Sequence, residues 1–100
     1  MITVKYVTDK SQFKSITVTG HALANVKGKD LVCAAVSAVT IGAINALQNP
    51  QDFTIIVDEG HVEVQALRNI LAHDQIVLDT MLISLKSIEE SYAKYIKIIS

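Results

Sequence analysis

One cysteine, one proline and no excess of either charge set the first limits. A lone cysteine, Cys33, excludes an internal disulfide framework and suits a reducing compartment. A net charge of -1 with a pI near 6.2 provides no clustered surplus of Lys and Arg, so direct nucleic-acid binding is not expected. The longest apolar stretch, Leu31 to Leu47, is broken by Ser37, Thr40, Gly42 and Asn45. It falls short of the roughly 18 unbroken residues of a membrane span. The N-terminal MITVKYVTDK has no apolar h-region and no cleavage site, so it does not read as a signal peptide. His61 and His73 have no Cys or carboxylate at ligand spacing, so no metal site is expected, and no motif calls for a cofactor. NVKGK lacks the GK[ST] context of a phosphate-binding loop. These absences leave a soluble cytoplasmic protein, with no role at a membrane.

What is present is a chain of 100 residues, half of them hydrophobic and 19% charged. That suffices for one domain, residues 1–100, with a real core. ITVKYV and KSITVTG alternate β-branched or aromatic residues with polar ones around the turn cluster TDKSQ, which reads as a β-hairpin. Asp30 is placed to cap a helix from Leu31 to about Gln48, which Pro50 stops by disfavouring helical geometry at Asn49. DFTIIVDEG and HVEVQAL form a second hairpin turning at Asp58 to Gly60. From Asn69, Ile70, Leu71, Ile76, Val77, Leu78, Met81, Leu82, Leu85, Ile88 and Tyr92 recur at helical spacing. His73, Asp74, Lys86, Glu89, Glu90 and Lys94 fall on the opposite, wet side. The tail YIKIIS fits either the helix end or a short extra strand.

The order β-β-α-β-β-α predicts an α+β fold, an antiparallel or mixed sheet with two packed helices. The first helix is apolar on nearly every side, so it should be buried nearly all round. The sheet can cover one face, and the rest needs the second helix or another subunit, so a homodimer is expected.

The chemistry concentrates in TGHALANVKGKDLVCAAVSA. With Asp30 as cap, Cys33 would be the third helical residue, where the helix dipole favours a thiolate and free N–H groups can hold an oxyanion. His21, twelve positions earlier at a strand end, is of the residue type that serves a cysteine nucleophile as base and then as acid. Ser37 lies one turn beyond Cys33 on the same face. Between them runs the polar loop His21–Lys29, a candidate mobile lid in which Leu23 and Val26 are the apolar residues available to a substrate. The same residues also fit a plainer reading, in which Cys33 is a small buried hydrophobe, His21 a turn residue, and the chain a non-enzymatic binding module.

GHA followed by a variable loop and GKDLVCAAVSA resembles the signature of the bacterial ribosomal-processing cysteine proteases, the Prp family. That signature runs Gly-His-Ala, a loop, then Gly-x-Asp-Ile-Val-Cys-Ala-Ala-Val-Ser-Ala. Leu31 stands here for the usual isoleucine, and Leu23 where a small residue is common. The VDEG turn and the long C-terminal helix also match the family's plan. The resemblance implies a cytoplasmic endopeptidase, usually a homodimer, that cuts an N-terminal extension from a large-subunit ribosomal protein. It implies Cys33 as nucleophile and His21 as general base, with Ala22, Asp30 and Ser37 at positions around the dyad. Gly20 and Gly28 match positions that bend and hinge the loop. The alternative it leaves is a ribosome-assembly factor with a buried structural cysteine.

Overall fold

The computed structural model describes residues 1–20 and 31–100 in full and the backbone alone of 27–30. Both hairpins form where the alternation places them. Strand β1 (Ile2–Asp9) pairs antiparallel with β2 (Gln12–Thr19) across a two-residue turn in which Lys10 and Ser11 both take positive φ, 51° and 67°. That is the left-handed geometry a tight hairpin turn demands, here met without glycine. One irregularity interrupts the ladder: Val7 faces Ser15 but Thr8 faces Phe13, leaving Lys14 as the extra residue of a bulge. The second hairpin joins β3 (Phe53–Asp58) to β4 (His61–Ala66) through Glu59 and Gly60, the glycine at φ 72°.

The sheet order is β3-β4-β2-β1, with a fifth strand, β5 (Ile96–Ile99), outside β1. All pairs are antiparallel except β1 with β5, so the sheet is mixed, as the element order allowed. The tail YIKIIS thus resolves as a strand. Helices α1 (Lys27–Ala46) and α2 (Ala72–Tyr92) lie beside each other on one face of the sheet. Val4, Ile16 and Val64 from the strands meet Leu78, Met81, Leu82 and Leu85 of α2 and Val32 and Val36 of α1 in one core. Phe13 and Phe53 meet edge to face in it, ring centroids 6.5 Å apart.

Four expectations need correction. Helix α1 begins at Lys27, so Asp30 lies inside it and is not its N-cap, and Gly28 is helical backbone. A single glycine costs a helix only about 1 kcal/mol, and the flanking lysines are good helix formers. Of the lid expected over His21–Lys29, residues 27–29 are helical backbone and 21–26 lie outside the described residues.

Nor is α1 buried all round. Val32, Val36 and Thr40 form its buried stripe, whereas Leu31 is 57% exposed and Ala34, Ala38, Gly42 and Ala46 face outward. Small residues leave little apolar area in water, so hydropathy overstates the need to cover them.

On α2, Ile76 belongs to the predicted apolar stripe but is 65% exposed, while Asp74, assigned to the wet face, is fully buried. Its carboxylate accepts the backbone N–H groups of Gln48 (2.9 Å) and Asn49 (3.0 Å) and contacts His73 Nδ1 at 3.0 Å. Burial alone pushes this carboxyl up, but the hydrogen bonds from His73, Gln48 and Asn49 outweigh it and hold the pKa below the ordinary 3.8. Asp74 thereby ties the chain leaving α1 to the first turn of α2.

Candidate active site

Four residues of α1 at three- and four-residue spacing, Cys33, Ser37, Thr40 and Ile41, with Val36 beside them, form one wall of a groove of about 660 Å³. Ile2, Val18, Val57 and Val62, from the ends of β1 to β4, form its apolar floor. Gly20 and the turn Asp58–His61 close the far side. The volume falls within the range of about 300–1,000 Å³ typical of ligand sites. Cys33 is a free thiol and half-buried, neither sealed in the core nor loose on the surface. Thr40, fully buried, is satisfied by donating its hydroxyl to the Val36 carbonyl at 2.8 Å, so it adds shape to the wall without an unpaired polar group.

Gly20 is where the backbone needs glycine. Its φ is +117°, and a Cβ there would run into the carbonyl oxygen of Met1 and the Cα of Ile2. Its N–H donates to the Gly60 carbonyl at 3.1 Å, which binds the end of β2 to the second hairpin's turn. This contact and the register Thr19↔His61 bring the turn 58–61 to the groove.

The groove therefore unites three predicted site residues, Gly20, Cys33 and Ser37. His21, Ala22, Leu23 and Val26 lie outside the described residues; Gly28 and Asp30 are placed as helical backbone only. Cys33 is the seventh residue of α1, not the third. The free N–H groups of the helix belong to residues 27–30, about 5–9 Å down the axis, and the dipole's benefit falls off within the first turn. The picture of Cys33 at the helix start is thus corrected by one turn.

Sequence reading missed the opposite side. His61, considered in the sequence as a metal ligand and set aside, lines the same groove, as do Asp58, Glu59 and Val57. No local pattern announces this, because it depends on β2 pairing with β4 across more than forty intervening residues. Among the described residues, no three His, Cys, Asp or Glu side chains gather as metal ligands, and no helix is long and apolar enough to cross a membrane.

The sequence profile of the family described as "Cysteine protease Prp" matches residues 1–97. The chain belongs to the Prp cysteine protease family. It is 34% identical over 103 aligned positions to the ribosomal processing cysteine protease Prp of Staphylococcus aureus (strain Mu50), covering 98% of this chain and 97% of that one. It is 33% identical to the Prp of Bacillus subtilis (strain 168), covering 84% and 82%. The same fold occurs in the crystal structure of the essential S. aureus Prp with a covalently linked product peptide. That match has a TM-score of 0.83 at 35% identity, covering 98% and 97% of the two chains. The S. aureus Prp with a substrate peptide gives 0.81 at 32% identity, covering 99% and 98%. Membership of the Prp family makes the chain a peptide-bond hydrolase of the cysteine class, and Cys33 is its only cysteine.

Proposed function

We propose that this Prp family member is a processing endopeptidase, residues 1–100 acting as one protease domain, that removes the N-terminal extension of a large-subunit ribosomal protein in the cytoplasm. The observation that carries this reading is a free, half-buried Cys33 on the wall of a peptide-sized groove, in a fold whose S. aureus relative holds peptides.

Cys33 is the nucleophile and His21 the general base. His21 takes the thiol proton, and the thiolate sulfur attacks the scissile carbonyl carbon. The tetrahedral intermediate collapses as the His21 imidazolium protonates the departing amine, leaving a thioester on Cys33. Water, deprotonated by His21, attacks the thioester, releases the carboxylate product and restores the thiol. Ser37, one turn from Cys33 on the same wall, is a substrate-contact residue. The apolar floor receives side chains flanking the scissile bond, and Ala22, Leu23 and Val26 contribute from the segment leading to α1. Asp30 supports the dyad from the turn preceding Cys33.

The enzyme is a homodimer. A shallow apolar depression of about 300 Å³ between α1 and α2 is lined by Val39, Gly42, Ala46, Ile76 and Thr80, with exposed Ile83 farther along α2. Small residues on α1 permit close approach, and a second copy covers the two isoleucines.

Incubation with the precursor of the ribosomal protein, read by intact mass, tests the activity, and sedimentation velocity of an Ile76→Glu, Ile83→Glu double variant tests the dimer. A precursor left intact contradicts the first, and an unchanged sedimentation coefficient the second.

A further inference from the structure

The two edges of the sheet are finished differently, and the open one borders the groove. In β3 the hydrogen-bonded partners are fixed by register. Asp58 pairs with His61 and Ile56 with Glu63, and the ladder continues to Leu67 N–H donating to the Asp52 carbonyl at 2.9 Å. Antiparallel ladders alternate, so the even-numbered residues Asp52, Thr54, Ile56 and Asp58 spend their backbone groups on β4. The odd-numbered residues turn theirs the other way, onto the free edge. Phe53 N–H is taken by the Pro50 carbonyl. The N–H and C=O groups of Ile55 and Val57 remain, and among the described residues no backbone bond reaches them. Period-two alternation puts the Val57 side chain on the same sheet face as buried Phe53. Val57 is 51% exposed and lines the groove that holds Cys33.

We infer that the substrate peptide binds as a sixth strand on β3, its backbone paired with Val57 and Ile55, so that every second side chain enters the groove and the scissile bond is delivered to Cys33. This deepens the protease reading and rests on it. The occupant is an extended peptide because Val57, whose backbone groups are open on the edge, lines the same groove as Cys33. Strand addition reads no side chain, so it fits a substrate segment that must be held straight, with the groove floor supplying the selectivity.

The test uses the peptide spanning the precursor's processing junction, made as a set in which each backbone amide in turn is N-methylated. Affinity is measured on Cys33→Ala protein and kcat/KM on the wild type. The expected result is a two-residue alternation on one side of the scissile bond. Methylation there costs about tenfold at alternate positions, since each removes one N–H donated to a β3 carbonyl, and less than threefold between them. A flat profile, or equal loss at every position, overturns the sixth strand while cleavage of the unmodified peptide keeps the protease reading. Absence of that cleavage overturns both.

Val57→Pro removes one edge-facing N–H and none used by β4, so it should fold and lose about tenfold in peptide affinity. If Val57→Pro does not fold, the methylation series decides alone. A Val57→Pro protein that changes its self-association but keeps its peptide affinity overturns the proposal in favour of edge pairing between copies.

Discussion

The outer edge of β5 and the outer edge of β3 lie at opposite ends of one sheet and meet opposite fates. On β5, the Ile98 N–H donates to Glu89 Oε2 at 2.7 Å, and α2 runs close by. On β3, among the described residues, no such acceptor is bonded to Val57, which is half exposed at the rim of the Cys33 groove. An unpaired edge invites another strand, and proteins commonly block it with a charge. Here the block sits on β5, which contributes nothing to the Cys33 groove, and among the described residues none sits on β3, which does. The difference separates residues that close the fold from residues that leave it open for work, and each side can be broken on its own.

The largest effect falls on the working side. Cys33→Ala should abolish peptide cleavage, at least a thousandfold in kcat/KM. It should cost no more than about 1–2 kcal/mol of stability, because the side-chain volume change is small and the site half-exposed. A peptide-cleavage assay beside thermal unfolding checks both. On the closing side, Asp74→Ala removes a buried carboxylate that accepts two part-buried N–H groups and should cost about 2–3 kcal/mol. The Asp74 pKa is lowered in the fold, so its contribution is present above the unfolded value and lost as pH falls through the folded one. Wild-type stability should therefore drop below pH 3.8, and that component should be missing from the variant, as chemical denaturation at several pH values will show.

Glu89→Ala unblocks the closed edge. A loss of about 1–2 kcal/mol with unchanged cleavage of the peptide is expected in denaturation and kinetic assays, since the groove lies elsewhere. Were cleavage to fall as well, the two edges would not be independent. His61→Ala alters the groove wall and should raise KM a few-fold with kcat retained, a steady-state measurement. The smallest effect is expected at the β1–β2 turn, distant from both edges' function. Ser11→Gly relieves a positive φ and should raise stability by about 1 kcal/mol in a thermal melt.

The local periodicities made much of this legible. Alternation announced four strands and their turns, and the apolar spacing of Leu78, Met81, Leu82 and Leu85 announced α2. The Cys33–Ser37 spacing placed both residues on one wall of the groove. What stayed hidden required a second surface. Asp74 reads as solvated by its neighbours, and only the arrival of Gln48 and Asn49 makes it a buried acceptor. The start of α1 was misplaced because Asp30 is a good cap and Gly28 a poor helix former, yet the helix passes through both. The four residues of β5 are too few to show a period, and their parallel pairing with β1 is a long-range event. Val57, Asp58 and His61 join the groove through the β2–β4 pairing, which neither hairpin encodes alone.

The most direct test of the central claim, that the Cys33 groove is where a ribosomal-protein precursor is cut, is intact-mass measurement of that precursor after incubation with wild-type and Cys33→Ala protein in parallel. The account predicts that the wild type converts the precursor to one species lighter by its N-terminal extension, and that Cys33→Ala leaves the mass unchanged. Processing by Cys33→Ala at the wild-type rate, or an intact precursor with both proteins, would contradict it.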